Sequence, residues 1–555
     1  MKRNLAALEN AQFDLLVVGG GILGACVAWD AALRGLSVAL VEKGDFASGT
    51  SSNSLKIVHG GLRYLQHLDL RRMRESIRER STWLRIAPHL VEPLPILVPT
   101  YGIGQQSLAL LRAALAVNDV ISWDRNLALP PGRQISPGRA VSRSECLRLV
   151  PELESPALTG GVLFCDAQMY SAERLVLEVA QAASGAGANL ANYVEFEAPI
   201  VRSGHVVGAR VRDVLGDSHF DIRSRVVVNA AGPAAPAMAE RIIGRRGVVA
   251  ASYSVAMNFL VAGCGHEVAF SFAGTSSDRS ATVKRGNRQL FVVPWRGHTL
   301  LGTAHYPYTG DPLAFGIEEW QVQMFLDEVN TSWPGRPFTR REIGLIHAGL
   351  LPIDPGFAGA GVSLLKRHRI VDHAREGRPG ALSAISIKFT TARLVAEQLV
   401  DAVCATLGAR ARRCRTASTP LPGAQGSGPS VLMRTAEQRY GSQLDREVLH
   451  HLVRTYGARY ERIIEYRESV ADWKERVIPS APVIKAQLVH ALKEEMAQLP
   501  EDIICRRVEI GARGLLCEEA IHAASQLLQD RNGLTDPPGL GRPKPAADSD
   551  SPTPS

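Results

Sequence analysis

The chain has 555 residues, 45% of them apolar, which is more than one small domain needs and predicts a large core with an appended unit or two cores. Lysine and arginine exceed aspartate and glutamate, 63 to 55, a balance that favours anionic small molecules or acidic lipid; clusters such as Arg410–Arg415 read as solvated faces, so no nucleic-acid role is expected. The eight cysteines are scattered without a Cys-x-x-Cys pair, which argues against a disulfide framework or a metal centre, and no stretch reaches the roughly 18 apolar residues of a spanning helix.

The opening "MKRNLAALENAQFD" lacks an apolar core followed by a cleavage site, so a cytoplasmic protein is expected. An apolar β run, Leu15 to Val18, then meets glycines, a helix of small residues, a stop at Arg34-Gly35 and a second β run, Val38 to Val41. This βαβ grammar places Gly19, Gly21 and Gly24 as Gly-x-Gly-x-x-Gly at the head of the helix. The first glycine allows a tight turn, the second a close approach to a pyrophosphate and the third close packing on the sheet. Glu42 closes the second strand about 20 residues on, where a carboxylate suits a ribose and repels a 2′-phosphate. The pattern alone leaves NAD and FAD both open.

The segment "SSNSLKIVHGGLRYLQHLDL", residues 51 to 70, then gathers many donors and little bulk. Residues 105 to 123 read as an amphipathic helix half buried in the core, with docking to a membrane as its second reading. A helix over 172 to 184 precedes a buried strand in "SRVVVNAAGP", and alternating runs between 250 and 310 predict antiparallel strands. The Pro, Gly and Ser content of 416–432 predicts a linker, dividing an interleaved region 1–415 from helices over 433–533; 534–555 is too polar to order itself.

One ordered set of segments is recognisable: "GGGILGACVAWDAALRGLSVALVEKGDFASGTSSNSLKIVHGGLRYL", "AERLVLEVA", "VVNAAGP", "LFVVPWRGHTLLGTAHYPYTGDP", "KFTTARLVAEQLV" and "EDIICRRVEIG". Together they resemble the FAD-dependent glycerol-3-phosphate dehydrogenases, within the wider D-amino-acid-oxidase-like flavoproteins. The resemblance implies an α/β fold: a Rossmann-like FAD-binding domain, an interleaved antiparallel-sheet substrate domain and a C-terminal α-helical domain. It implies FAD as cofactor. Ser51, Ser52, His59, Gly60 and Gly61 would run along the flavin ring and its ribityl chain, with hydrogen at the glycines to avoid a collision. Arg63 and Tyr64 would project into the substrate cavity. Asn229, Ala230, Gly232 and Pro233 would approach the dinucleotide, Lys388 the substrate or flavin, and Thr390 with Thr391 the flavin end.

The sequence also departs from that family. Leu351 in "AGLLPI" stands at the position of an arginine that grips phosphate, and leucine cannot make a charge-assisted contact. His305 replaces an aspartate, Ser386-Ile387 replace two glycines, and Asn258 lies where a histidine is common. Arg63, Arg367 and Lys388 are the candidate replacement cations, and His59 and His305 the candidate bases. The resemblance implies oxidation of glycerol 3-phosphate to dihydroxyacetone phosphate, or of a related polyol phosphate, by hydride transfer to flavin. Electrons would pass to a quinone, with a peripheral contact on the inner face of the cell membrane, and a homodimer is compatible with it. Two alternatives stay open: an oxidase or dehydrogenase of a less charged alcohol or amine, and a flavin-binding partner protein without turnover.

Overall fold

A computed structural model of the chain describes residues 1–102, 108–245, 252–277, 287–353, 363–386, 388–409, 412–468 and 472–530. The strand Gln12–Val18 pairs in parallel with Val38–Val41 on one side and His219–Asn229 on the other. Leu15, Leu16 and Val17 are fully buried, as expected of a strand covered on both faces. The helix Ile22–Leu33 is buried from Ile22 to Ala32 because the helices Ala172–Gly185 and Ala392–Leu407 both pack on it. Its alanines and Cys26 are what let those neighbours come close.

The first sheet has eight described strands, in the order Arg369–Asp372, Ala381–Ile385, His219–Asn229, Gln12–Val18, Val38–Val41, Asn189–Ala191, with the hairpin Val194–Arg202 and His205–Asp213 pairing off His219–Asn229. The second has nine and is mainly antiparallel; Ser252–Ala262 lies between Ile343–Ile353 and His298–Tyr308. The helix Glu319–Ser332 covers one face of it, with Phe325 against Phe259 at a ring separation of 4.5 Å. The chain crosses between the sheets repeatedly: Ile57–Val58 belongs to the second, Asn189–Ala191 to the first, Ser252–Ala262 to the second and Ala381–Ile385 to the first. The two sheets are therefore interleaved.

The last part of the described chain is helical, including Pro429–Tyr440, Arg446–Tyr456, Lys485–Glu494 and Glu518–Gln529, with apolar cores of its own around Leu449, Leu452 and Val489 and around Ile503, Ile504 and Val508. The stretch expected as a linker is anchored at points along a partly exposed run, with Gln425 to Ser427 exposed. Leu421 is fully buried with its amide donating to the Ile86 carbonyl at 2.9 Å, and the helix Pro429–Tyr440 already begins inside it. The expected disordered tail, 534–555, lies outside the described residues.

One expectation is corrected. The helix Leu108–Ile121 is not half in the core: Leu115 is its one buried residue, while Leu110, Val117 and Val120 are exposed, Val120 to 74%. Residues 103–107, the start of the expected helix, are outside the description. Among the described residues no helix is long and apolar enough to cross a membrane.

Candidate active site

The interleaving leaves a cavity of about 540 Å³ between the C-terminal ends of the parallel strands and the inner face of the second sheet. One end is lined by Glu42, Lys43, Glu195 and Arg241. The middle is lined by Gly19, Gly21, Ser51 and Ala230 to Ala234, and the other end by Asn258, Thr303, Leu313, Leu350 to Pro352, Ser386, Lys388 and Phe389. Position at the carboxyl ends of parallel strands is where α/β folds of this kind take their ligands.

The glycine turn is built tightly. Gly19 has φ +115°, and a Cβ there would lie 2.6 Å from the Ala230 carbonyl oxygen; a Cβ on Gly24 would lie 1.9 Å from the Gly19 carbonyl oxygen. Gly21 begins the helix without a side-chain cap, and Ser51 accepts the Ile22 amide at 3.0 Å. Glu42 accepts the Gly20 amide at 2.6 Å and the Gly44 amide at 2.9 Å. Burial pushes the Glu42 carboxyl up from its ordinary range, and the two amides oppose that only in part.

At the opposite end Lys388 stands just before the helix Ala392–Leu407, whose first residue Ala392 also lines the cavity. Burial first, and then the nearby Arg72 guanidinium, push the Lys388 amine down to about 7. Asn258 and Thr303 form a polar pair in this wall, the Thr303 hydroxyl donating to Asn258 Oδ1 at 2.7 Å. Leu351 faces the same space, beside Leu350 and Pro352.

Several residues singled out from the sequence sit elsewhere. Asn229 is completely buried and donates to the Ala235 carbonyl at 2.7 Å and Ser383 Oγ at 3.0 Å, so it shapes the turn from behind. Ser52 does not line the cavity; its carbonyl accepts the Lys56 ammonium at 2.6 Å. Gly60 and Gly61 are not among the lining residues and are crowded by the protein itself. A Cβ on Gly60 would meet Arg80 at 2.5 Å and on Gly61 the Tyr64 ring at 2.4 Å. Thr390 is buried, its hydroxyl accepting the His59 amide at 3.3 Å and its carbonyl the Trp83 indole at 2.9 Å; Thr391 precedes the Ala392–Leu407 helix without a side-chain capping bond.

Neither candidate histidine lines the cavity. His59 turns its ring edge to Tyr64 at 5.8 Å, and His305 Nδ1 lies 3.3 Å from Ser254 Oγ. Tyr64 is buried behind Lys388 instead of lining the cavity. Arg367 is exposed and also outside the lining, and the Arg63 side chain lies outside the described residues, as does Ile387. The wall contains residues the sequence reading passed over: Lys43, Thr50, Asn53, Glu195, Arg241 and Thr303. Of these, Lys43, Thr50 and Asn53 had a signal, since each adjoins a residue already marked.

A family model described as FAD dependent oxidoreductase matches residues 14–402. The chain belongs to that family. A second model, the C-terminal domain of alpha-glycerophosphate oxidase, matches residues 414–536 of this FAD-dependent oxidoreductase. A glycerol-3-phosphate dehydrogenase of Synechocystis is 34% identical over 92% of this chain and 90% of its own. The human mitochondrial glycerol-3-phosphate dehydrogenase is 30% identical over 94% of this chain and 71% of its own. The solved glycerol-3-phosphate dehydrogenase of Bacillus halodurans, complexed with FAD, has the same fold, with a TM-score of 0.72, 24% identity and coverage of 97% of this chain and 98% of that one.

The oxidoreductase is thus of the glycerol-3-phosphate dehydrogenase type, with FAD as its cofactor. The cavity suits that group. The Gly19–Gly21 turn presents backbone without side chains at the start of the Ile22–Leu33 helix, where a pyrophosphate would fit, and the carboxylates of Glu42 and Glu195 flank the end that would suit a ribose.

Proposed function

We propose that the protein oxidises the secondary alcohol of glycerol 3-phosphate or a related polyol phosphate, and passes the electrons to a quinone at a membrane surface. FAD, when bound, supplies the acceptor for the hydride. The observation that carries the reading is Lys388 in the cavity wall at the end opposite Glu42, with an amine held near 7 by burial and by Arg72. A neutral amine there takes the hydroxyl proton as the C–H bond breaks, a role matched to neutral pH. The Asn258–Thr303 pair orients the remaining hydroxyls, and the apolar side chains of Leu350, Leu351 and Phe389 keep water from the reacting carbon. Neither His59 nor His305 is given the proton, because both stand outside the cavity wall.

The membrane contact is supported by an exposed apolar face. Leu110, Val117 and Val120 on the helix Leu108–Ile121 continue into Trp123 and Leu127, and Leu68 and Leu70 are exposed on the neighbouring segment. That helix packs beside the turn Leu62–His67, which carries Tyr64, so the face lies on the Lys388 side of the molecule. An apolar face with Arg71 and Arg112 exposed beside it suits the interface of a bilayer with anionic lipid.

A second reading, an alcohol or amine without a phosphate, is favoured by Leu351: among the described residues, Lys388 is the one cation at that end of the cavity. Anaerobic titration of the holoprotein with sn-glycerol 3-phosphate decides between them. Bleaching of the flavin absorbance at modest substrate supports the first reading. No bleaching by that substrate, but bleaching by an uncharged polyol or an amine, replaces it with the second.

A further inference from the structure

The C-terminal helical unit reaches the cofactor end of the cavity through one buried cluster. Asp45, whose side chain is fully buried, accepts Arg507 Nη1 and Arg506 Nε on Oδ2, each at 2.6 Å. On Oδ1 it accepts Arg507 Nη2 at 2.8 Å and Asn192 Nδ2 at 2.9 Å. Burial works against this carboxylate, and the two guanidiniums outweigh it, holding its pKa at about 2. Arg506 also donates to Asp502 Oδ1 at 2.5 Å, and the Tyr193 hydroxyl donates to the same oxygen at 2.6 Å.

Each of these contacts anchors a piece of cavity wall. Asp45 follows Glu42 and Lys43 and precedes Ser48 to Ser51, all of which line the cavity, and Ala47 donates back to the Gly20 carbonyl at 3.2 Å. Tyr193 donates its amide to the Gly44 carbonyl at 2.8 Å and is followed by Glu195 and Phe196, which line the same end. A carboxylate buried as deeply as Asp45 is tolerable only while its cations are in place. Without them the 43–51 loop must open to water.

We propose that the helical unit is a working part of the cofactor site: Arg506, Arg507 and Asp502 are positioning residues that hold the 43–51 loop and the 193–196 segment in the shape that retains FAD. Flavin is kept while the helical unit is docked and released when it lifts. The inference rests on membership of the FAD-dependent family and is independent of which alcohol is oxidised.

The test uses holoprotein and follows the appearance of free flavin fluorescence after dilution, with a thermal melt of each variant alongside. Arg506→Gln is expected to speed FAD release by about tenfold or more, and Tyr193→Phe, which removes one hydroxyl, by a few fold. Arg507→Lys, keeping the charge but losing the two-pronged contact, is expected to fall between wild type and Arg506→Gln. The comparison variant is Arg454→Gln, which breaks the Arg454–Glu92 ion pair joining the helical unit to the second sheet at 2.6 Å and touches neither wall segment. It is expected to lower the melt while releasing FAD within about twofold of wild type. Release at the wild-type rate in both Arg506→Gln and Tyr193→Phe overturns the proposal. So does equally fast release from Arg454→Gln at a matched melting temperature, which would make the effect general destabilisation. If Arg506→Gln does not fold, Tyr193→Phe alone decides.

Discussion

The Lys388 ammonium nitrogen stands 4.3 Å from the centre of the Tyr64 ring, and the Arg72 guanidinium carbon stands 4.1 Å from that same centre. One ring thus holds two basic groups close together, and burial together with Arg72 lowers the Lys388 amine to about 7. Below that pH the amine is protonated and cannot accept the substrate proton; above it the amine is free to do so. kcat/KM for the alcohol is therefore expected to rise with pH through about 7 and then level off. Lys388→Met should lower kcat by about 10²–10⁴-fold and remove the inflection. Arg72→Gln should move it to higher pH, because a like charge is lost. A profile that falls through neutrality would show that the ammonium form is the one required.

Leu351→Arg tests the substrate class directly. An arginine there would offer a charged, two-pronged contact worth about 1.5–3 kcal/mol. Its KM for glycerol 3-phosphate should drop about 10- to 100-fold, with little effect on an uncharged polyol. An unchanged ratio between the two substrates would place the phosphate elsewhere.

Gly24→Ala addresses the glycine turn. Its Cβ would lie 1.9 Å from the Gly19 carbonyl oxygen, which is backbone and cannot swing aside. The variant should lose about 1–3 kcal/mol of stability and be purified with less flavin per chain, read from the ratio of visible to protein absorbance. Normal flavin content with an unchanged melt would contradict this account of the turn.

The exposed face is tested by sedimentation with anionic vesicles. Trp123 is 78% exposed and Val120 74%, so replacing both with serine should leave the melt nearly unchanged. Vesicle binding should fall several-fold, since the two most exposed apolar side chains of the face, one of them its tryptophan, are removed. Equal binding by the double variant would remove this face from consideration.

What the sequence disclosed depended on how locally each feature is specified. The βαβ unit, the Ala172–Gly185 helix and the antiparallel run after 250 follow from periodicity, and their turns from glycine placement, so they were legible. Gly19, Gly21 and Glu42 could be placed because the glycines mark the turn after the first strand and Glu42 the end of the second, a spacing that local sequence fixes. His59, His305 and Asn229 could not, because a side chain one residue out of phase points into the core or along the sheet: Asn229 ends bonded to Ser383, 154 residues away. The exposure of the Leu108–Ile121 helix was also hidden, since an amphipathic pattern marks an apolar stripe without saying what covers it. Nor did composition reveal that 416–432 is anchored at Leu421, whose amide donates to the Ile86 carbonyl.

The Asp45–Arg507 pair spans 462 residues of chain. On the ribosome, Asp45 is made 462 residues before Arg507, so the loop beside the glycine turn emerges with its carboxylate unmatched and waits for the helical unit to follow. On the proposed coupling, flavin is captured only after the helical unit has been made and has docked, and a retained cofactor reports that the unit has seated.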